Sequence, residues 1–287
     1  MLPLWVKGYE RRYNGLDTDV REALLRASAS SLKRLLEPVR RKYTLRGRAT
    51  AKPGAMLRNT IPIATGQWEQ TKPGFIEADT VAHCGGSMAG QFAYTLDCVD
   101  LATGWTEQRA VWAKRDSDVV AQMRLIERAL PFPMLGFDSD NGSEFMNQKM
   151  LAFLIDRQKP VQFTRSRAYC KNDNAHIEQK NWTHVRQMIG YERFDDPAII
   201  ADLNNLYANE WRLYHNFFGA SVKLIAKKRV GSKTVKTYDA PQTPYQRVLT
   251  SEHVSDYAKE GLRRIFEKLD PFVLKDASNA KIKALFR

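Results

Sequence analysis

Apolar and polar residues alternate with a period of two in three consecutive stretches, GFIEADTVA from Gly74, then QFAYTLDCVD and EQRAVWA. Alternation among β-branched and aromatic residues predicts three strands. Gly85, Gly86 and Gly90 punctuate the first connection and Thr103-Gly104 the second, so turns join these strands. The period then changes. In SDVVAQMRLIERAL, Val119, Met123, Ile126 and Leu130 share one helical face. FPMLGFDSD reads as a short buried strand, NQKMLAFLIDR as a helix, VQFTR as a strand and NAHIEQKNWTHVRQMIG as a helix. Residues 197–217 predict an amphipathic helix opened by Pro197, with Ile199, Leu203, Leu206, Tyr207, Trp211 and Tyr214 on its apolar side.

Three strands, then helix, strand, helix, strand, helix, is the layout of an RNase H-like α/β domain with a mixed sheet. The flanks are of another kind. Residues 17–42 predict two helices, the first capped by Asp17 or Thr18 and the second by Ser30 or Ser31. Pro38 should kink or tighten the second near its end. A tight turn between them, with Lys33, Arg34, Arg40, Arg41 and Lys42 on the second, fits a helix-turn-helix. Residues 43–72 have little periodicity and read as a basic linker. KLIAKKRVGSKTVKTYDAPQTPYQR, from Lys223, is basic and turn-rich, and one or two helices are expected around 252–269 and 276–286. The organisation expected is thus a helical module at 1–45, a linker at 46–72, a core at 73–217 and a basic, mainly helical C-terminal region at 218–287 that binds DNA.

Charge sharpens this division. The 287 residues carry a net charge of +13. Residues 1–60 contribute +9, residues 221–287 contribute +8, and the middle is −4. Basic arms suit a phosphate backbone, where each neutralised phosphate releases counterions. An acidic centre suits carboxylates that hold divalent cations. Three widely spaced cysteines, Cys84, Cys98 and Cys170, form neither a disulfide framework nor a C-x-x-C zinc pair. No apolar run reaches the roughly 20 residues of a membrane span, and the first residues lack a signal-peptide core. The expectation is a soluble cytoplasmic protein with no membrane partner.

Three carboxylates of the centre could converge. Asp79 lies in the first strand, Asp140 just past the fourth, and Glu178 in the first turn of the last core helix. In this topology strands one and four are neighbours, and the helix crosses their ends. Phosphodiester hydrolysis or transesterification must activate one oxygen and stabilise another, which two Mg²⁺ ions about 3.5–4 Å apart can do. Asp79 would bridge the ions, with Asp140 and Glu178 each holding one side. Glu77 shares the strand face of Asp79 and is its rival. Asp138 is the rival of Asp140, but Asn141-Gly142 turns the chain after Asp140 and favours it. Glu144 reads as a loop-solvating or helix-capping residue.

These residues resemble the DDE core of the retroviral-integrase superfamily, especially integrase-type transposases of bacterial insertion sequences. The family's D-N-G-x-x-F motif stands here as Asp140, Asn141, Gly142 and Phe145, and its loop Tyr and catalytic Glu as Tyr169 and Glu178 in YCKNDNAHIEQKN. The likeness covers residues 73–195 and the closing helix to about 217. It implies an RNase H-like fold, Mg²⁺ or Mn²⁺, and cutting and joining of double-stranded DNA ends by a homodimer or higher homo-oligomer associated with the nucleoid. The zinc-binding His/Cys module of retroviral integrases has no counterpart in residues 1–72, which favours the transposase branch. The N-terminal part is short for that branch, so part of a DNA-binding module is expected to be missing.

Candidate DNA contacts rest on position. Lys171 and Asn174 precede the last core helix, Asn181 shares the face of Glu178, and Lys180 and Arg186 flank it, with solvated surface charge as the equal alternative for the last two. Lys33 and Arg34 belong to the N-terminal module. His176 and His184 read as structural or surface residues and Trp182 as core.

Overall fold

A computed structural model describes residues 2–13, 15–41, 61–63, 71–166, 175–230 and 233–286. The three alternating stretches form strands β1 (Phe75–Ala82), β2 (Ala93–Asp100) and β3 (Thr106–Trp112), paired antiparallel in sequence order. Helix α4 (Asp116–Ala129) returns the chain so that β4 (Gly136–Ser139) lies parallel to β1. Helix α5 (Gln148–Ile155) does the same for β5 (Gln162–Arg165), which lies parallel to β4. The five-stranded sheet therefore runs β3-β2-β1-β4-β5. That order, with three antiparallel strands and two parallel ones entered through helices, makes the core RNase H-like.

Residues paired across a sheet share a face, and neighbours along a strand do not. Ile76, Ala78, Leu96, Cys98, Phe137 and Phe163 line one face. They form an apolar cluster with Val119, Met123 and Ile126 of α4 and Met150 of α5. The other face carries Glu77, Asp79, Asp97, Gln108, Asp138 and Thr164. This polar face lies under a continuous helix made of α6 (Ala175–Lys180), a π-helical turn π1 (Asn181–Arg186) and α7 (Gln187–Ile189). A second such helix comes next in the chain, α8 (Ile199–Leu206), π2 (Tyr207–Trp211) and α9 (Arg212–Phe218).

The π turns have a sequence cause. Ile177, Val185 and Ile189 are buried, as are Leu203, Tyr207 and Trp211, so inward residues recur at multiples of four. An α-helix of 3.6 residues per turn drifts off such a spacing, and a wider turn keeps it in line. The Trp211 indole N–H donates to the His184 carbonyl at 2.9 Å, pinning one π turn to the other.

Beyond α9 the turn-rich reading is corrected. β6 (Leu224–Val230) and β7 (Lys233–Tyr238) form an antiparallel ribbon, succeeded by α10 (Pro244–Thr250), α11 (Asp256–Glu267) and α12 (Pro271–Leu285). Tyr245, Val248, Val254, Leu262 and Leu274 join the same apolar cluster as Phe137. An unforeseen helix α1 (Leu2–Arg12) packs on α12. Trp5 meets the Phe272 ring edge-on, and a Cβ on Gly8 would fall 2.7 Å from that ring.

α2 (Thr18–Arg26) is capped by Asp17, whereas Ser28, not Ser30 or Ser31, caps α3 (Ala29–Arg41), its hydroxyl accepting from the Ser31 N–H at 3.1 Å. α3 runs through Pro38, and Leu35, Leu36 and Val39 on it are exposed, as are Lys33 and Arg34. Most of the expected linker lies outside the described residues. No helix among the described residues is long and apolar enough to cross a membrane. Cys84 and Cys98 are buried free thiols.

Candidate active site

The parallel register of β1 and β4 pairs Glu77 with Asp138 and Ala78 with Ser139. The next step along both strands brings Asp79 beside Asp140, on the polar face of the sheet. Asp140 then leaves the strand, and its carboxylate accepts the Gly142 N–H at 2.9 Å. A Cβ on Gly142 would sit 2.7–2.8 Å from the Glu144 and Asp140 carboxylates. The glycine is needed for that close approach, not for a left-handed backbone, since its φ is not positive. Asn141 fastens the loop to the end of β5 by donating to the Ser166 carbonyl at 3.0 Å and accepting from Arg165 at 3.2 Å.

Asp79 accepts the Thr80 N–H at 2.7 Å and the Asn181 side-chain amide at 2.6 Å. Burial and then the charge of Asp140 push its carboxyl up to about 7, against the hydrogen bonds and Lys114. Asp140 is also raised, by burial and by Glu144. A carboxyl held out of water beside another carboxylate resists ionising.

The rivals have other duties. Glu77 accepts the Ile177 N–H at 3.2 Å and so anchors the start of α6. Asp138 accepts from the Thr164 hydroxyl at 2.6 Å and from Ser166 at 3.1 Å. Glu144 is neither solvated nor a cap. It is buried, accepts the Thr80 hydroxyl at 2.7 Å and pairs with Lys114, while Asn147 caps α5.

Two further residues enter that sequence reasoning missed. Lys114 lies just past β3, reached through two successive left-handed residues, Ala113 at φ 54° and Lys114 itself at φ 53°. Such a backbone costs about 1–3 kcal/mol per residue and clusters at functional sites. It brings the amine to Glu144, where its charge favours ionised Asp79 and Asp140. Asp97 lies directly across from Asp79 on β2 and is fully buried. Burial pushes its carboxyl up to about 8, opposed by Lys180.

The helix over the sheet holds the rest. Glu178 lies in the first turn of α6 and is exposed. Asn181 faces Asp79. Lys180 is half-buried and turns to the sheet, its amine 3.4 Å from His184 Nε2, and burial lowers it to about 8 against the pull of Asp97. Arg186 donates to the Ala82 carbonyl at 2.8 Å and lies over the Tyr191 ring. Both cations are thus engaged with the protein rather than set out for phosphates. His184 is buried and stacked on His215, Val185 is buried, and Trp182 is 39% exposed instead of core. Tyr169, Lys171 and Asn174 lie outside the described residues, as does the side chain of His176. Among the described residues no three His, Cys, Asp or Glu converge as a metal-ion site. Asp79 and Asp140 are brought together, and Glu178 stands apart from them.

Comparison with known proteins places the chain. No family model matches it. It is 39% identical over 251 residues to uncharacterized protein y4rM of Sinorhizobium fredii, spanning 86% of this chain and 70% of that protein. The chain belongs to the y4rM family. Its structure is similar to the catalytic core domain of BIV integrase, with 15% identity, a TM-score of 0.40, and coverage of 63% of this chain and 96% of that one. For this y4rM-family chain the strand order carries the fold assignment, and the paired aspartates on the polar face mark the candidate site.

Proposed function

We propose that the chain is a metal-dependent DNA strand-transfer enzyme of the DDE transposase and integrase type. The observation that supports this most is the placing of Asp140, just past β4, beside Asp79 of the parallel neighbour β1, with raised proton affinity from burial and, at Asp79, from the charge of Asp140. Bound by these aspartates, a divalent cation would offset the cost of ionising them, and their all-oxygen donors suit Mg²⁺ or Mn²⁺. Asp79 and Asp140 would hold it, and Glu178, exposed on the helix over the same sheet face and apart from the pair, would have to turn inward to complete the set. When bound, the metal supplies Lewis-acid activation of the attacking oxygen and neutralises charge on the phosphate.

The chain's own residues prepare the site. Asn181 and the Thr80 N–H orient Asp79, and the Gly142 N–H orients Asp140. Lys114, with Glu144, adds positive charge beside both aspartates. In the reaction proposed, water cleaves the phosphodiester at an element end and leaves a 3′-hydroxyl. That hydroxyl attacks a target phosphodiester and displaces its 3′ oxygen. Two ends are joined together, which calls for a symmetric assembly of two or more chains on DNA.

The test is strand transfer with Mg²⁺, using duplexes cut from the DNA that flanks the coding sequence. Joined product is expected from the native chain and none from Asp140→Asn. Undiminished joining by that variant would sink the reading, and cleavage without joining would assign a nuclease.

A further inference from the structure

The segment from Ser221 to Ala240 leaves the core as the β6–β7 ribbon, and every described side chain of the two strands is exposed. Its base is held firmly. The Lys223 amine donates to the Leu101 and Ala102 carbonyls at 2.7 and 2.8 Å. Asp239, the one acidic residue among residues 221–240, is taken up there by Arg247, which also donates to the Ser221 carbonyl at 2.8 Å. The described side chains of the blade beyond the base include Lys227, Lys228, Arg229 and Lys236 and none is acidic. Lys227 stands directly opposite Lys236. Like charges directly opposite destabilise a strand pair, and neither lysine forms an ion pair with a described carboxylate.

We infer that this ribbon is an arm that binds duplex DNA; this rests on the reading that the substrate is DNA. Several occupants fit worse. A second copy would set like charge against like charge, and edge lysines discourage strand addition. A single strand is held by aromatic platforms, and the described blade has Tyr238 alone, at its base. The strands extend about 20 Å at 3.3 Å per residue. A ribbon of two strands enters the major groove of B-form DNA, whereas the deep, narrow major groove of duplex RNA does not admit it.

The test is the salt dependence of binding to a random-sequence 30-base-pair duplex, measured by fluorescence anisotropy in EDTA. The triple variant Lys227→Thr, Lys228→Thr, Lys236→Thr keeps β-forming residues on the blade. Its plot of log affinity against log salt should be shallower than that of the native chain by about 2–3, near one for each phosphate left without its lysine. Its melting temperature should be unchanged or raised. An unchanged slope overturns the ribbon assignment. Equal losses on duplex RNA or on anionic vesicles also overturn it, as unspecific cation adhesion. A native chain that binds no duplex sinks the DNA reading as well. Because the slope is read without metal, joined product from Asp140→Asn would remove the catalytic reading and leave the ribbon result standing.

Discussion

Asp79→Asn should make the metal-free protein more stable while abolishing strand transfer. The native carboxyl is raised from 3.8 to about 7, so ionising it in the folded state is unfavourable by about 3 units, or about 4 kcal/mol at 1.36 kcal/mol per unit. Asp79 is partly reached by solvent, and screening there cuts the figure to about 2 kcal/mol. The amide fits. Its carbonyl oxygen can accept the Thr80 N–H, and its NH₂ can donate to Asn181 Oδ1, which is buried without a partner among the described residues, once the Asn181 amide flips. The sign comes from linkage. A carboxyl whose folded pKa lies above its unfolded value contributes stability below the unfolded pKa that is lost as pH rises through the folded one. The window runs from about pH 3.8 to 7, so about a quarter of the penalty is present at pH 4.5 and nearly all of it at pH 8. Thermal melts in EDTA should therefore place the variant about 4–8 °C above the native chain at pH 8, taking 2–4 °C per kcal/mol, and only 1–2 °C above it at pH 4.5. Replacing EDTA with Mg²⁺ should narrow the gap at pH 8, since the variant offers the ion one carboxylate fewer than the native chain. A variant no more stable than native at pH 8, or a gain that does not shrink in acid, would refute the electrostatic account.

Two further outcomes separate structural from functional roles. Arg186→Gln should lower stability by about 1–2 kcal/mol in urea, through the hydrogen bond to Ala82, and leave the salt slope of DNA binding unchanged; a shallower slope would restore Arg186 as a phosphate ligand. Gly74→Ala should cost about 1–3 kcal/mol in the same assay, because Gly74 has φ 115° and a Cβ there would meet the Pro133 carbonyl oxygen at 2.5 Å; a neutral substitution would show that this turn relaxes freely.

The sheet was legible because its two faces differ. One is apolar over α4 and α5, the other polar under α6, so β1 alternates plainly. β6 and β7 were not, because cations and apolar residues fall on both faces of a ribbon that buries neither. α1 went unseen because its burial depends on Phe272, at the far end of the chain. At the site, the Asn-Gly turn favours Asp140 over Asp138, whereas strand facing leaves Asp79 and Glu77 equivalent, and only the packing of α6 on Glu77 tells them apart. Asp97 needs the register of β1 on β2, which no local pattern carries. Lys114 needs two left-handed non-glycine residues, which leave no signature in composition. Lys180 and Arg186 were set on the flank of the helix as though the flank met solvent. In the fold that flank lies on β1 and β2, and π1 shifts the phase of every helical residue beyond it.

That shift makes the helix over the sheet a counting device. Asn181 must face Asp79 while Val185 and Ile189 face the core, and a π turn amounts to one residue more than an α turn needs. Chemical identity between 182 and 188 is free to drift where side chains look outward, as Trp182 does. Residue number is constrained differently. Losing the one extra residue would let the π turn close to an α turn while the residues beyond keep their facing, whereas gaining a residue would swing everything beyond it by about 100°, so family members should diverge in this stretch by substitution or by that single loss and not by insertion.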